Sequence, residues 1–350
     1  MFRIRNPKKF FGKYEENGTL PNTIRGNTIG NRDTSDAPLW FITVCADLTA
    51  AQGGISFLDA PAGKRTVRQV LVSIAEGYLA GTPNGVRVDP ASGLVWSPPH
   101  FSWMDTNHPA ATPREGYPVE IQALWHAALR FLASVSSGKQ KARWEDMRKK
   151  VRRSIREIFF RNDLGHMADC LHAPSGTPAS QASADDALRP NQLLAVTLGA
   201  ITEKDLMRKI VAACEELVVP GAIRSLADRP VTRPIPAFHN GMSLNDPFHP
   251  YRGTYEGDED TRRKPAYHNG TAWAWLFPSF CEAYFLAYGE AARRAALSWL
   301  ASATRVIAPG ACGHVPEIID GDFPHTPRGC DAQAWSASEL YRVCRLLANG

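Results

Sequence analysis

The chain predicts a mainly α-helical fold built from paired helices, and three observations carry that expectation. Apolar residues recur at helical spacing, as in Trp144, Met147, Val151, Ile155 and Ile158, which places them on one helix face. Convincing strand alternation is scarce. Five helices are each led in by a polar and aromatic segment, and the first four are followed by a second helix with an ordinary charged face. If the led-in helices lie parallel, their N-terminal segments meet at one end. That arrangement is a ring of helix hairpins with a cavity at one mouth.

The elements follow in chain order. Asn31-Arg-Asp-Thr-Ser-Asp-Ala-Pro-Leu-Trp leads the first helix. Pro118 fits the first turn of the next, which buries Leu124, Ala128, Phe131 and Val135. The stripe from Trp144 to Ile158 is its partner. Leu188-Arg-Pro-Asn-Gln leads a helix through Leu193, Leu194 and Val196. Tyr267-His-Asn-Gly-Thr-Ala-Trp-Ala-Trp leads the fourth, and Gly329-Cys-Asp-Ala-Gln-Ala-Trp-Ser the last. That last helix has a stripe of Ala337, Leu340, Cys344 and Leu347 and a stop at Asn349-Gly350. Residues 82–118, 167–187 and 224–267 form long connections, and loops of that length are usually functional or mobile.

Composition narrows the function classes. The chain has 350 residues, 44% hydrophobic and 21% charged, with a net charge of +5, which suits a globular protein. Its basic residues are dispersed, so no concentrated nucleic-acid surface is expected. Seven cysteines without CxxC spacing argue against a disulfide framework or structural zinc, and point to thiols in a reducing cytoplasm. No window approaches the ~20 apolar residues of a membrane helix. P-loop, dinucleotide, GxSxG and HExxH signatures are absent, so neither cofactor nor metal is expected.

Asp105 stands out, in Phe101-Ser-Trp-Met-Asp-Thr-Asn-His. A carboxyl group beside aromatic rings is the start of a sugar slot. A partner lies far downstream, Glu317 in His314-Val-Pro-Glu-Ile-Ile-Asp. Two carboxylates facing one glycosidic bond are the minimum for hydrolysing it. Glu115 and Glu120 rival the first, and Asp320 and Asp322 the second from a turn-like setting. Asn31, Arg32, Asp33, Arg189, Asn191, Gln192, His268 and Asn269 are candidate sugar-hydroxyl partners, and Glu115 is a further substrate contact. Each of the helix-leading residues also suits a helix cap. Trp40, Trp103 and Trp335 are candidates to stack on sugar faces, and Trp125 is assigned to the core.

These segments, together with Gly18-Thr-Leu-Pro-Asn and Gly116-Tyr-Pro-Val-Glu-Ile-Gln-Ala-Leu-Trp, resemble the C-terminal glucosidase domain of glycogen debranching enzymes, the amylo-α-1,6-glucosidase type. The ordered set runs from Gly18 to the C-terminus. The resemblance implies an (α/α)6 toroid that releases glucose with inversion from α-1,6 branch stubs of glycogen or a similar branched α-glucan. It implies that Asp105 is the general acid and Glu317 the general base, standing about 6.5–9.5 Å apart to admit a water. Apolar neighbours such as Trp103 and Met104 would then keep the acid protonated. The family's opening Trp-Gly-Arg-Asp motif has no counterpart in this sequence. The first inner helix is therefore expected to be missing, with residues 1–17 the remnant of an outer helix, residues 18–350 the toroid domain, and an upstream domain or chain completing the ring. The competing expectations are a non-catalytic glucan-binding relative, or a toroid glycosidase for another sugar.

Overall fold

The computed structural model describes residues 14–26, 28–106, 112–307 and 313–348. The expected remnant of an outer helix falls almost wholly on residues 1–13, and the helix stop on residues 349–350; both lie outside the described residues. The chain divides into two compact units.

The described residues of the first unit fall within Met1–Asp105, Arg114–Ile158 and Cys170–Ser183. It holds α1 (Ala37–Gln52), α2 (Val67–Ala80), strand β1 (Gly116–Pro118), α3 (Val119–Ser134), α4 (Gly138–Ser154) and strand β2 (Cys170–His172). Helix α3 is its centre, buried on every side and packed against α1, α2 and α4. Pro118 sits one place earlier than expected, as the cap before the first turn. Leu124, Ala128 and Phe131 are buried as the spacing requires. Trp125 stacks on Tyr78 with ring centroids 5.8 Å apart and donates Nε1–H to the Gly93 carbonyl, so its polar edge is satisfied inside the core. Helix α2 is set by a capping box, Thr66 accepting from Gln69 N–H and Gln69 from Thr66 N–H. The Gly18 backbone crosses α2 at Gly77 so closely that a Cβ on either residue would collide with the other's backbone.

The described residues of the second unit fall within Thr106–Pro113, Phe159–Asp169 and Ala184–Gly350. Its helices are α5 (Leu193–Thr197), α6 (Lys204–Glu215), α7 (Lys264–Tyr267), α8 (Phe277–Tyr288), α9 (Arg293–Ala301), α10 (Thr304–Ile307) and α11 (Ala334–Ala348). The apolar α8 is central and packs against α5, α6, α9 and α11. The stripe expected on α11 is shifted. Ser336, Val343 and Leu347 are buried, Leu340 is half-buried, and Ala337 and Cys344 face solvent. The branched and larger side chains of Leu340, Val343 and Leu347 bury more apolar area than Ala and Cys would, which decides the helix rotation.

The second unit also contains a feature that the helical reading passed over. Strands β3 (Val218–Val219), β4 (Ala222–Arg224), β5 (Ala272–Trp273), β6 (Ile318–Ile319) and β7 (Pro327–Arg328) form one antiparallel sheet in that order. Trp273 pairs with Ile318, and Ile318 with Arg328. Among the described residues, no helix is long and apolar enough to cross a membrane.

Candidate active site

The two carboxylates lie in different units, and each has its own surroundings. In the first unit, two helix-leading segments gather around residues 101–105. Ser35 N–H donates to the Phe101 carbonyl at 2.6 Å. Ser35 Oγ and Ser97 Oγ are 2.8 Å apart, and Tyr78 Oη donates to the Ser35 carbonyl at 2.6 Å. Trp103 and Met104 are buried while Asp105 is exposed. Trp103 is only 6% exposed, so the expected stacking face is packed into the core. A large ring gains more there than at a wet surface.

Beneath this segment lies a buried ion pair. Arg114 Nη1 and Nη2 donate to Glu120 Oε1 and Oε2 at 2.5 and 2.7 Å, and Nη1 also reaches Ser102 Oγ at 3.1 Å. Glu120 is thus engaged as the counter-ion of Arg114. Glu115, a rival acid and candidate substrate contact, precedes β1 and not the first turn of α3, and it is half-buried there. A carboxylate three residues before a strand's end gains nothing from the dipole of a helix starting later.

Asp36, at the N-cap of α1, accepts from Thr34 Oγ1 at 2.7 Å. Its carboxyl is pushed up to about 6, chiefly by burial, with added repulsion from Glu120 and Asp105. The sign follows from linkage. The folded chain holds this proton to a higher pH than the unfolded chain does, so Asp36 lowers stability as pH rises from about 4 to about 6. Asp36→Asn keeps the Oδ1 acceptor and should raise stability by about 1–3 kcal/mol near pH 7.5. The gain should vanish below pH ~4 in urea unfolding.

Other candidates of the first unit have their own duties. Arg32 donates to the Thr19 carbonyl at 3.0 Å, to Thr19 Oγ1 at 2.9 Å and to the Tyr14 carbonyl at 2.9 Å, and pairs with Glu16 at 3.4 Å. It anchors the preceding segment. Asn31 Oδ1 accepts from Asp33 N–H at 3.2 Å, and both residues are exposed. Trp40 is half-buried on α1.

In the second unit the other three leading segments come together. Arg189 is buried; it donates to the carbonyls of Ser225 and His268 and, at 2.8 Å, to Asn269 Oδ1, with Asp169 3.6 Å from Nε. Asn191 Nδ2 donates to Asp169 at 2.7 Å, and Gln192 Oε1 accepts from Met167 N–H at 3.0 Å. All three are buried and tie loops to one another, which buried polar groups must do to offset desolvation. His268 is buried, lies flat on Trp273 at 5.2 Å, and sits 3.2 Å through Nε2 from Thr106 Oγ1. Asn269 Nδ2 donates to the Pro265 carbonyl at 3.0 Å.

Glu317 precedes β6, directly opposite the residues that follow β7. Its N–H donates to the Cys330 carbonyl at 2.8 Å. Its Oε2 accepts from Cys330 N–H at 3.2 Å and its Oε1 from Gln333 Nε2 at 3.4 Å. In both contacts the side chain serves as the acceptor. Gly329, at φ +69°, has no room for a Cβ, which would run into Glu317 Oε2. Gly329→Ala should therefore cost about 1–2 kcal/mol of stability through the left-handed backbone alone. It should also displace the carboxylate, read as a drop in turnover of the folded variant.

The rival acids are engaged elsewhere. Asp320 is buried, accepting from Tyr255 N–H at 2.7 Å and from Arg328 Nε at 3.0 Å. Asp322 accepts from Tyr251 Oη at 2.8 Å and Thr254 Oγ1 at 3.2 Å.

An aromatic run flanks Glu317. Tyr255 meets Tyr267 at 5.4 Å, Tyr267 meets Trp273 at 4.9 Å edge-on, Trp273 meets Trp335 at 6.1 Å, and Trp335 stacks on Trp275 at 4.8 Å. Tyr255, Tyr267 and Trp335 keep partial exposure. The Tyr255 hydroxyl is pushed up by burial, with the Glu317 charge adding to it. Tyr255 and Tyr267 were not among the sequence candidates; only their place in a long loop and a leading segment hinted at them.

Acceptor-held carboxylate, half-exposed aromatic rings and paired helices are the construction of a helical glycoside hydrolase. Residues 4–342 match the amylo-alpha-1,6-glucosidase family model, and the chain belongs to that family. Among solved structures it is similar to a wild-type glycosidase (15% identity, TM-score 0.53) and to a glycosidase variant in complex with glucose (15%, 0.55). Both matches cover 90% of this chain and 67% of the other. A rhamnosidase from Klebsiella oxytoca with rhamnose bound matches at 12% identity and TM-score 0.55, over 95% of this chain and 52% of that one. At these identities the likeness is one of fold. No curated protein matches the sequence.

Proposed function

We propose that the chain releases glucose from α-1,6 branch stubs of glycogen-like glucans with inversion at the anomeric carbon. Asp105 donates a proton to the departing glycosidic oxygen. Glu317 takes a proton from the water that attacks the opposite face of the sugar. Neither step requires a cofactor. Tyr255, Tyr267 and Trp335 supply ring faces for sugar, with Trp40 a further candidate.

The observation that carries this reading is the seating of Glu317. Two N–H donors and a glycine hold its carboxylate, while Asp320 and Asp322 already serve the surrounding loops. Family membership supports the branch-point substrate. The six cysteine thiols among the described residues suit a reducing compartment such as the cytoplasm.

The test is to incubate the chain with a branch-stub dextrin and follow released glucose by proton NMR. β-Glucose should appear first and then mutarotate. First release of α-glucose would overturn the inverting mechanism. Binding of the dextrin without release would make the chain a glucan-binding module. Release of a different sugar from other substrates, in place of glucose, would redirect the specificity.

A further inference from the structure

The second unit has an open cavity of about 630 Å³ that contains neither catalytic candidate. Ser243, Tyr251, Thr254, Thr261, Arg262 and Asp322 are among its lining residues. The lining alternates hydroxyls with charged groups whose charges cancel: Arg252 and Arg262 against Glu256 and Asp322. Arg252 donates to the carbonyls of Leu244 and Thr261, and Glu256 pairs with Arg328 at 3.1 Å. The hydroxyls of Tyr251 and Thr254 donate to Asp322, which leaves their oxygen lone pairs as acceptors. Such a surface suits a neutral, hydroxyl-rich ligand better than an ion.

Two further facts tie the cavity to sugar. Phe323 directly follows Asp322 and is 88% exposed, which leaves its ring face open for a sugar to stack on. Tyr255, between the lining residues Thr254 and Glu256, carries the aromatic run that flanks Glu317.

We propose that this cavity is an outer subsite that holds a neutral oligosaccharide stretch of the substrate, away from the bond that is cleaved. That the oligosaccharide is an α-glucan rests on the function proposed above. The cavity's size fits more than one sugar ring, so it would select polymeric substrates over single glucosides.

The test is calorimetric titration of the full chain with maltotetraose, which contains no α-1,6 bond. The wild-type chain should bind it. Thr254→Val and Arg262→Ala alter exposed side chains, and each should weaken binding about fivefold, the loss expected for one hydrogen bond. Tyr251→Phe should do the same; if it fails to fold, the other two variants decide. Unaltered binding in both surface variants, or no binding by the wild-type chain, overturns the subsite. The two readings fail separately. Thr254-dependent binding in a chain that releases no glucose keeps the subsite and removes the activity. Glucose release with no maltotetraose binding does the reverse.

Discussion

Asp105→Asn and Glu317→Gln should each slow glucose release from a branch-stub dextrin by about 10²–10⁴-fold, the range for losing one general acid or base. Both replacements keep the shape of the side chain and remove its ability to exchange a proton. The two should differ in their substrate dependence. The acid variant suffers least on a glucoside whose leaving group needs no proton, such as a nitrophenolate. The base variant is equally impaired on both substrates, because water must be activated in either case. Near-full rates in either variant would remove that residue from the mechanism. Thermal melts close to wild type are expected for Asp105→Asn, since Asp105 is exposed.

Arg114→Met should cost about 3–5 kcal/mol of stability, because it leaves the Glu120 carboxylate buried without its partner. The pair is bidentate and both side chains are almost fully buried, at 5% and 1% exposure. The double variant Arg114→Met/Glu120→Leu should recover most of that loss, since a buried ion pair contributes little beyond what apolar groups of similar size supply. Urea unfolding of the single and double variants measures both numbers. A single-variant loss under about 1 kcal/mol, typical of an exposed pair, would show that the pair is solvated in solution.

The helices were legible in the sequence because long periodic stripes survive without tertiary context. Trp144, Val151 and Ile155 all fell where the spacing placed them. Helix α11 did not, because Ala337 and Cys344 are small enough for packing to rotate the stripe toward Val343. The sheet was invisible for a different reason. Its strands are two or three residues long, too short for a period of two to show. With the sheet unseen, the pairing of Glu317 with Cys330 could not be anticipated, nor could the place of Tyr255 beside it. The leading segments were read as sugar contacts. In Arg189, Asn191 and Gln192 the same polar groups knit loops together, and residue type alone does not separate those duties.

Gly329 offers a way to read other chains. The carboxylate it accommodates is held by the Cys330 N–H and the Gln333 side chain, so the loop can change at its other positions without disturbing it. A relative that keeps an acid at the position of Glu317 but carries any side chain at the position of Gly329 has retained the residue and lost its seat. Such a chain should still fold and bind sugar, yet turn over poorly. One glycine thus marks which members of a divergent set are worth assaying, before any substrate is known.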